Sequence, residues 1–363
     1  MDYLKALNLP FDTPFMVVDI EWTRKNIRKM QDVADRNGKK LRPHSKTHKI
    51  PELSKMEIEA GAVGVCVQKT AEAEIMFYGG VKNILLSNET FGSKFLRLGK
   101  LASMGCDITV AVDNVPALDQ FSEVCKQLGI HGNVLIDVNI GMNRCGVEPE
   151  RVDSLIEGIK SHVNLNLAGI MAYDGHVNDP DVRKREEEVR AEESIIEPII
   201  RKIRPYCSDD PVVSVGGTPT AEIWAKSSLA TELQPGTYVY YDVHCMRQNL
   251  CTIDEISMGV VSMCTSESQG DRIVLDAGYK SVAIDQGVYP MVMDAYGNEY
   301  KVLSMSEEHT VLKAKDNSSH LGQRFLLLPY HACTTTDLWD SAYVFDGNNQ
   351  PYSLPIRGRG KRE

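Results

Sequence analysis

The sequence predicts a (β/α)8 barrel followed by an all-β domain, and three observations predict it. Short apolar, β-branched runs alternate with longer amphipathic stretches from residue 41 onward. The alternation completes eight times. After about residue 247 the helical period gives way to strand-like segments separated by Gly, Asp and Asn turns. The expected boundaries are 22–245 for the barrel and 246–363 for the β domain, with about residues 1–21 adding an N-terminal strand to the latter. A doubly wound open sheet is the competing architecture; the count of eight favours the barrel. A chain of 363 residues is long enough for each part to hold its own core.

Taken in order, FMVVDI (15–20) precedes the first barrel unit and is expected to join the β domain. The barrel strands are LRPH (41–44), VGVCV (63–67), NILLSN (83–88), DITVAV (107–112), VLIDVNI (134–140), LAGIMAY (167–173), VVSVG (212–216) and TELQPG (231–236). Between them PELSKMEIEAGA, KTAEAEIMFYGG, PALDQFSEVCKQLG and PERVDSLIEGIKSH carry the helical period, and several end in Gly, as helix C-termini often do. DVRKREEEVRAEESIIEPIIRKIR (181–204) is the longest helix candidate. Its first half is nearly all charge, which reads as an outer helix with a solvated face. MGVVSMCTSES, DRIVLDAGYKSVAI, YKVLSM, HTVLKAK, QRFLLLPY and SAYVFDG are the strands of the second domain, where no helix is expected. The basic tail IRGRGKRE is expected to fray.

Composition limits the function. Charged residues are 25% and apolar ones 42%, as in ordinary globular proteins. The net charge of −10, from 40 basic and 50 acidic residues, argues against nucleic acid as a partner, so any anion must be bound locally. No apolar stretch approaches the roughly 18 residues of a membrane span. The N-terminus lacks the layout of a secretory signal. Nine cysteines stand singly with no CxxC, which reads as reduced thiols in a cytoplasmic protein.

Active sites of such barrels lie at the C-terminal ends of the strands. HSKTHK follows the first strand, with Lys46 nearer the strand end than Lys49. Ser87, Asn88 and Glu89 follow the third, GMNRCG with Arg144 the fifth, and Tyr173, Asp174 and His176 the sixth. GGTPT (216–220) follows the seventh and PGTY (235–238) the eighth. Glycines let backbone N–H groups approach an anion, and a following helix adds partial positive charge. Each Gly pair is equally explained by a turn needing positive φ; two after adjacent strands point to a phosphate site. A phosphate cup and a lysine on one rim suggest pyridoxal phosphate, which needs an amine, a phosphate anchor and groups that tune its ring. The ordinary role of an exposed lysine is solubility, and the ordinary role of a loop histidine such as His176 is a satisfied hydrogen bond.

On these motifs the chain resembles the fold-type III pyridoxal phosphate enzymes, which include alanine racemase. It is most similar to their metal-activated branch of D-threonine aldolases and D-serine dehydratases. The resemblance covers nearly the whole chain in order. RPHSKTHK resembles the cofactor-lysine motif and implies that Lys46 carries the imine. DVNIGMNRCGV resembles the segment whose arginine approaches the cofactor's phenolic oxygen, implying Arg144. SVGGTPT and ELQPGTYVYYD resemble the phosphate-binding turns, implying Gly216, Gly217, Thr218, Gly236, Thr237 and Tyr238. Tyr173 and His176 are candidates for the ring environment or a proton relay. VLDAGYKS and SEEH (306–309) resemble stretches of the family's β domain. LPYHACTTTD resembles its metal site, implying His331 and Cys333 as ligands of Zn2+ or Mn2+. On an extended strand, His-x-Cys puts both side chains on one face. A buried cysteine beside a hydrogen-bonded histidine is the alternative for the same spacing. The cysteine departs from the aspartate of D-threonine aldolases and is more typical of D-serine dehydratases.

The resemblance implies a lyase acting on a D-3-hydroxy-α-amino acid whose amino group displaces Lys46 and whose β-hydroxyl meets the metal. If a base takes the hydroxyl proton, the Cα–Cβ bond breaks, giving glycine and an aldehyde, as in a D-threonine aldolase; this reading is favoured. If Lys46 takes the α proton, hydroxide leaves, giving a 2-oxo acid and ammonia, as in a dehydratase of D-serine or D-3-hydroxyaspartate. A metal-free racemase and a non-catalytic cofactor-binding barrel are the further alternatives. Fold-type III relatives are commonly dimers, which implies a homodimer here.

Overall fold

The computed structural model describes residues 1–268, 271–347 and 350–363. It contains two compact units. One comprises Arg28–Lys46, Pro51–Gly236 and Lys361–Glu363; the other comprises Met1–Ile27, Thr47–Ile50 and Thr237–Gly360. The first strand, β1 (Phe15–Asp19), belongs to the latter.

The first unit is built on eight parallel strands: β2 (Lys40–Leu41), β3 (Val65–Val67), β4 (Asn83–Leu86), β5 (Asp107–Val112), β6 (Gly132–Asp137), β7 (Leu165–Ala172), β8 (Cys207–Val215) and β9 (Glu232–Leu233). Their order around the sheet is β2-β9-β8-β7-β6-β5-β4-β3. The ends then meet: His44 pairs in parallel with Cys66, and the Cys66 N–H donates to Pro43 O at 2.8 Å. The sheet closes on itself, which excludes the open doubly wound alternative. All eight expected strands are present in chain order.

Parallel strands buried on both faces read as apolar runs, and those runs supply the core. Cys66, Leu85, Ala111, Leu135 and Met171, one from each of five consecutive strands, form a buried cluster. Each aliphatic side chain so buried contributes about 1.5–3 kcal/mol. Gly169 has φ 150° where β7 shifts register against β8, and a Cβ there would lie 1.9 Å from Val212 O, so only glycine fits. Helix Val115–Leu128 shows how local signals set the ends. The Asn114 side chain accepts the Ala117 N–H at 2.9 Å, and Gly129 closes the helix in the left-handed region.

Helix Val182–Ile203 is the long helix expected over 181–204, but its charged half is not wholly solvated. Arg185, Val189, Glu192, Ile196, Ile199, Ile200 and Ile203 are buried, at the three-to-four spacing of one helical stripe. The period places Arg185 and Glu192 on that stripe whatever their charge. The tail also departs from expectation: Glu363 O accepts the Ala71 N–H at 3.0 Å.

The second unit is mostly strand. In it lie β10 (Met258–Ser268), β11 (Arg272–Leu275), β12 (Met291–Met293), β13 (Glu299–Tyr300), β14 (Val302–Met305), β15 (Thr310–Lys313), β16 (Arg324–Leu328), β17 (Ser341–Phe345) and β18 (Tyr352–Pro355). The sheet runs β13-β12-β16-β10-β1-β17-β18, with β11, β15 and β14 continuing from β10. β1 pairs antiparallel with β10 and parallel with β17. Val260, Ile273, Leu275, Val292, Leu312, Phe325 and Leu327 lie in its buried core. A short helix, Ala332–Thr336, interrupts the strands where none was expected. Among the described residues no helix is long and apolar enough to cross a membrane.

Candidate active site

In the barrel unit, Lys46 sits in a 3-10 turn, Ser45–Thr47, directly after the first barrel strand. His44 holds that turn. Its Nδ1 accepts the Lys46 backbone N–H at 3.4 Å, so in the neutral ring the proton is on Nε2, which lies 3.2 Å from Gln68 Oε1 and 3.1 Å from Ser87 Oγ. Beside the turn is a pocket lined among others by Lys46, Glu89, Asp137, Arg144 and Tyr173.

Lys46 Nζ stands 5.5 Å from the centre of the Tyr173 ring, and the Arg144 guanidinium carbon 5.4 Å from it. Neither cation forms a salt bridge among the described residues. Glu89 and Asp137 face the same space. Burial first, then the hydrogen bond and charge of Glu89, push the Asp137 carboxyl well above its usual range. Lys46 and Arg144 bring two cations to the same pocket. Lys49 is otherwise occupied: its backbone is left-handed, with φ 55°, and its Nζ bonds Asp337 Oδ1 at 2.8 Å. Lys46 is therefore the lysine available for chemistry.

The turn after β8 is built around a residue to which sequence reading gave no role. Asp174 is fully buried, and its carboxylate accepts the Gly217 N–H at 3.0 Å and the Trp224 Nε1–H at 2.8 Å. Burial raises its pKa, while these donors act the other way. The Gly217 N–H is thus directed inward and is not a donor toward a bound anion. Gly216 has φ 80°, and a Cβ there would lie 3.1 Å from Trp224 Cδ1. Thr218 is buried but for 9%. Gly236 ends the barrel unit. Thr237 and Tyr238 lie in the 3-10 turn Thr237–Val239 of the strand unit, with Tyr238 fully buried.

His176 does not line the Lys46 pocket. Its Nε2 is 3.5 Å from Glu192 Oε1, and a Cβ on Gly141 would lie 2.9 Å from that nitrogen. Glu192 is buried on the long helix. Burial, then the charges of Asp174 and Glu188, push its carboxyl up to about 9.

In the strand unit, His331 and Cys333 are not on an extended strand. His331 caps the helix Ala332–Thr336, and Cys333 lies in its first turn. The chain turns there because the buried Asp242 carboxylate accepts the Ala332 N–H at 3.0 Å, satisfying a helix-end donor. The two side chains are still close enough for Cys333 to act on the charge of the His331 imidazole. Cys333 Sγ lies 3.3 Å from Thr47 Oγ1 and 4.0 Å from Thr237 Oγ1. His331 Nδ1 lies 2.8 Å from Asp285 Oδ2. Burial opposes a charge on His331, but Cys333 and Asp285 outweigh it and carry the imidazole up to about 10. Such a place favours a cation. Among the described residues no group of three or more His, Cys, Asp and Glu converges as a metal site. One imidazole and one thiolate fit Zn2+ and would leave positions for water and substrate.

Comparison with known proteins agrees with this architecture. The alanine racemase N-terminal domain family matches residues 18–243, and the serine dehydratase domain family matches 257–345. The D-threonine aldolase of an Arthrobacter species is 34% identical, over 92% of this chain and 89% of the relative. The 3-hydroxy-D-aspartate aldolase of Paracoccus denitrificans strain Pd 1222 is 30% identical, over 96% and 92%. The crystal structure of D-threonine aldolase from Filomicrobium marinum superposes with a TM-score of 0.88 at 30% identity, covering 96% of each chain. Dehydratases are more distant, the D-threo-3-hydroxyaspartate dehydratase of Delftia sp. strain HT23 being 28% identical over 90% of this chain and 92% of the relative.

Proposed function

The chain belongs to the fold-type III family of pyridoxal phosphate enzymes, to which alanine racemase also belongs, and we propose that it is a metal-assisted lyase cleaving D-3-hydroxy-α-amino acids to glycine and an aldehyde. The observation that carries the cofactor assignment is the pocket in which Lys46 and Arg144 face one ring, Tyr173, without carboxylate partners. Identity to aldolases over nearly the whole chain supports the reaction.

When bound, pyridoxal phosphate supplies an electron sink for charge developing at Cα, and a divalent metal supplies Lewis acidity toward a β-hydroxyl. Lys46 Nζ is the amine that would hold the cofactor and would yield to the substrate's amino group. His44 holds the Lys46 main chain by accepting its backbone N–H. Arg144 would supply a fixed positive charge to the cofactor ring, and Tyr173 packs against both cations. Gly216, Gly217, Thr218 and Gly236 are the phosphate holders, Gly217 through the room it leaves. The inclusion of Thr237 and Tyr238 rests on the family resemblance alone. His331 and Cys333 are the ligands of the metal, which the thiolate suggests is zinc. A homodimer in the cytoplasm is the proposed working form.

Cys333 favours a second reading, since the cysteine form is more typical of dehydratases. In that reading Lys46 Nζ would take the α proton, the β-hydroxyl would leave as water, and hydrolysis of the released enamine by water would give a 2-oxo acid and ammonia. Incubation of the purified protein with pyridoxal phosphate, zinc and either D-threonine or D-serine separates the two. Glycine with acetaldehyde from D-threonine supports the aldolase; pyruvate from D-serine, with no aldehyde from D-threonine, overturns it in favour of the dehydratase.

A further inference from the structure

In the strand unit, the segment 281–285 is tied to the segment 331–339 by four hydrogen bonds. Trp339 Nε1 donates to Ser281 O at 2.8 Å, and the Ala283 N–H donates to Thr335 Oγ1 at 3.2 Å. Thr334 Oγ1 donates to Asp285 Oδ1 at 2.8 Å, and His331 Nδ1 meets Asp285 Oδ2 at 2.8 Å. Asp285 is partly exposed, yet neither its backbone nor its carboxylate is placed by chance. The bonds at 281 and 283 fix the approach of its main chain, and Thr334 fixes the plane of its carboxylate.

We propose that Asp285 is a positioning residue of the metal centre: by accepting the Nδ1–H of His331 it fixes the tautomer and plane of that ring and dedicates Nε2 to a divalent cation. The inference rests on the reading of His331 and Cys333 as metal ligands. A metal-bound imidazole carries one proton, and the nitrogen that holds it is not the ligand. Without a partner the ring divides its population between two tautomers and rotates. With a carboxylate on Nδ1, only the other nitrogen presents a lone pair, and its basicity rises. Both carboxylate oxygens of Asp285 are already engaged, one by Thr334 and one by His331. This geometry makes Asp285 a partner of the ligand and not a third ligand.

The test is zinc affinity, measured on metal-stripped protein by competition with a chromophoric chelator. Asp285→Ala is expected to weaken zinc binding by about 10- to 100-fold. Asp285→Asn, whose amide oxygen accepts the same N–H, is expected to recover part of the loss. Thr334→Val, which frees the carboxylate to rotate, is expected to show a smaller one. The melting temperature of the metal-free protein and the absorbance of bound cofactor are expected to be unchanged, which a merely structural role does not allow. Zinc binding in Asp285→Ala equal to the wild type overturns the proposal while leaving the metal site standing. Wild-type protein that binds no zinc overturns the metal site and the proposal together. If Asp285→Ala does not fold, Asp285→Asn and Thr334→Val carry the test, and wild-type affinity in both overturns it.

Discussion

Thr47 Oγ1 lies 3.3 Å from Cys333 Sγ, although 286 positions separate the two residues in the chain. Thr47 directly follows Lys46, so the residue next to the proposed cofactor lysine contacts the proposed metal ligand. If Cys333 binds metal as a thiolate, as proposed, the Thr47 hydroxyl is the donor of this contact and lowers the charge on sulfur. Thr47→Val removes that donor while keeping the shape. Zinc affinity is expected to fall about 3- to 10-fold, the equivalent of one hydrogen bond of about 1 kcal/mol. In cobalt-substituted protein the sulfur-to-metal absorption band is expected to shift. An unmoved band with unchanged affinity would show that the contact does not tune the sulfur.

The two lysines of HSKTHK are expected to fail in different ways. Lys46→Ala should leave added pyridoxal phosphate with the spectrum of the free cofactor and lower turnover by about 10²–10⁴-fold or more. Lys49→Ala should keep the bound-cofactor spectrum but lower the melting temperature, because it removes the Lys49–Asp337 ion pair at 2.8 Å. A hydrogen bond to a charged group contributes about 1.5–3 kcal/mol. Absorbance scans and thermal melts of the two variants side by side check both expectations.

The contrast shows what the sequence reveals and what it conceals. The eight barrel strands were legible because buried parallel strands are continuous apolar runs, as in NILL and DITVAV. Strand Tyr352–Pro355 was not: three of its four residues are exposed, so it leaves no apolar run, and it contains proline. Lys46 was chosen for its nearness to a strand end; the structural reason, capture of Lys49 by Asp337, involves residues 288 positions apart. Asp174, Glu192 and Asp285 escaped for the same cause: their partners are distant in sequence, and such pairings leave no local pattern. The strand expected at His331–Cys333 failed because Asp242, far upstream, caps a helix there.

Asp174 is expected to be costly to remove. Asp174→Ala leaves the buried Trp224 Nε1–H without its partner and the Gly217 N–H with Thr220 Oγ1, at 3.0 Å, as its remaining acceptor. The orphaned indole donor costs about 1–3 kcal/mol. The melting temperature should fall, and pyridoxal phosphate should bind more weakly because the turn after the seventh barrel strand loses its anchor. Cofactor titration of the variant at a temperature where it remains folded checks this. Unchanged affinity would separate Asp174 from the phosphate turn.

Glu192 gives stability a pH dependence whose sign follows from its raised pKa. Burial, then Asp174 and Glu188, hold the carboxyl near 9 in the folded chain, while an unfolded glutamate titrates near 4.3. His176, at 3.5 Å, is too far for a hydrogen bond of ordinary strength to offset this. The folded state therefore binds the extra proton. Its relative advantage is complete below about 4.3 and is lost as pH rises toward about 9. Glu192→Gln is neutral in both states and escapes that loss. It should be more stable than the wild type by up to about 5 kcal/mol at pH 8, with the difference shrinking toward pH 4–5. Melts of both proteins across that range check the trend; a difference independent of pH would mean the carboxyl is ionised in the fold.

Replacing the thiolate should change which metal the site accepts. Cys333 and His331 offer one soft and one borderline donor, a set that favours zinc over manganese. Cys333→Asp keeps a negative charge in the first turn of the helix Ala332–Thr336 but makes it a hard oxygen donor. Harder ligands suit Mn2+ better, and the Irving–Williams order no longer has sulfur to reinforce it. After removal of metal by a chelator, the wild type is expected to regain activity best with zinc. Cys333→Asp is expected to need more zinc for the same recovery and to respond relatively better to manganese. Cys333→Ala should recover with neither. The cofactor absorbance, which the proposed function ties to Lys46, should be the same in all three. The measurement is turnover against metal concentration for each protein. Equal zinc and manganese responses in wild type and Cys333→Asp would show that residue 333 does not touch the metal.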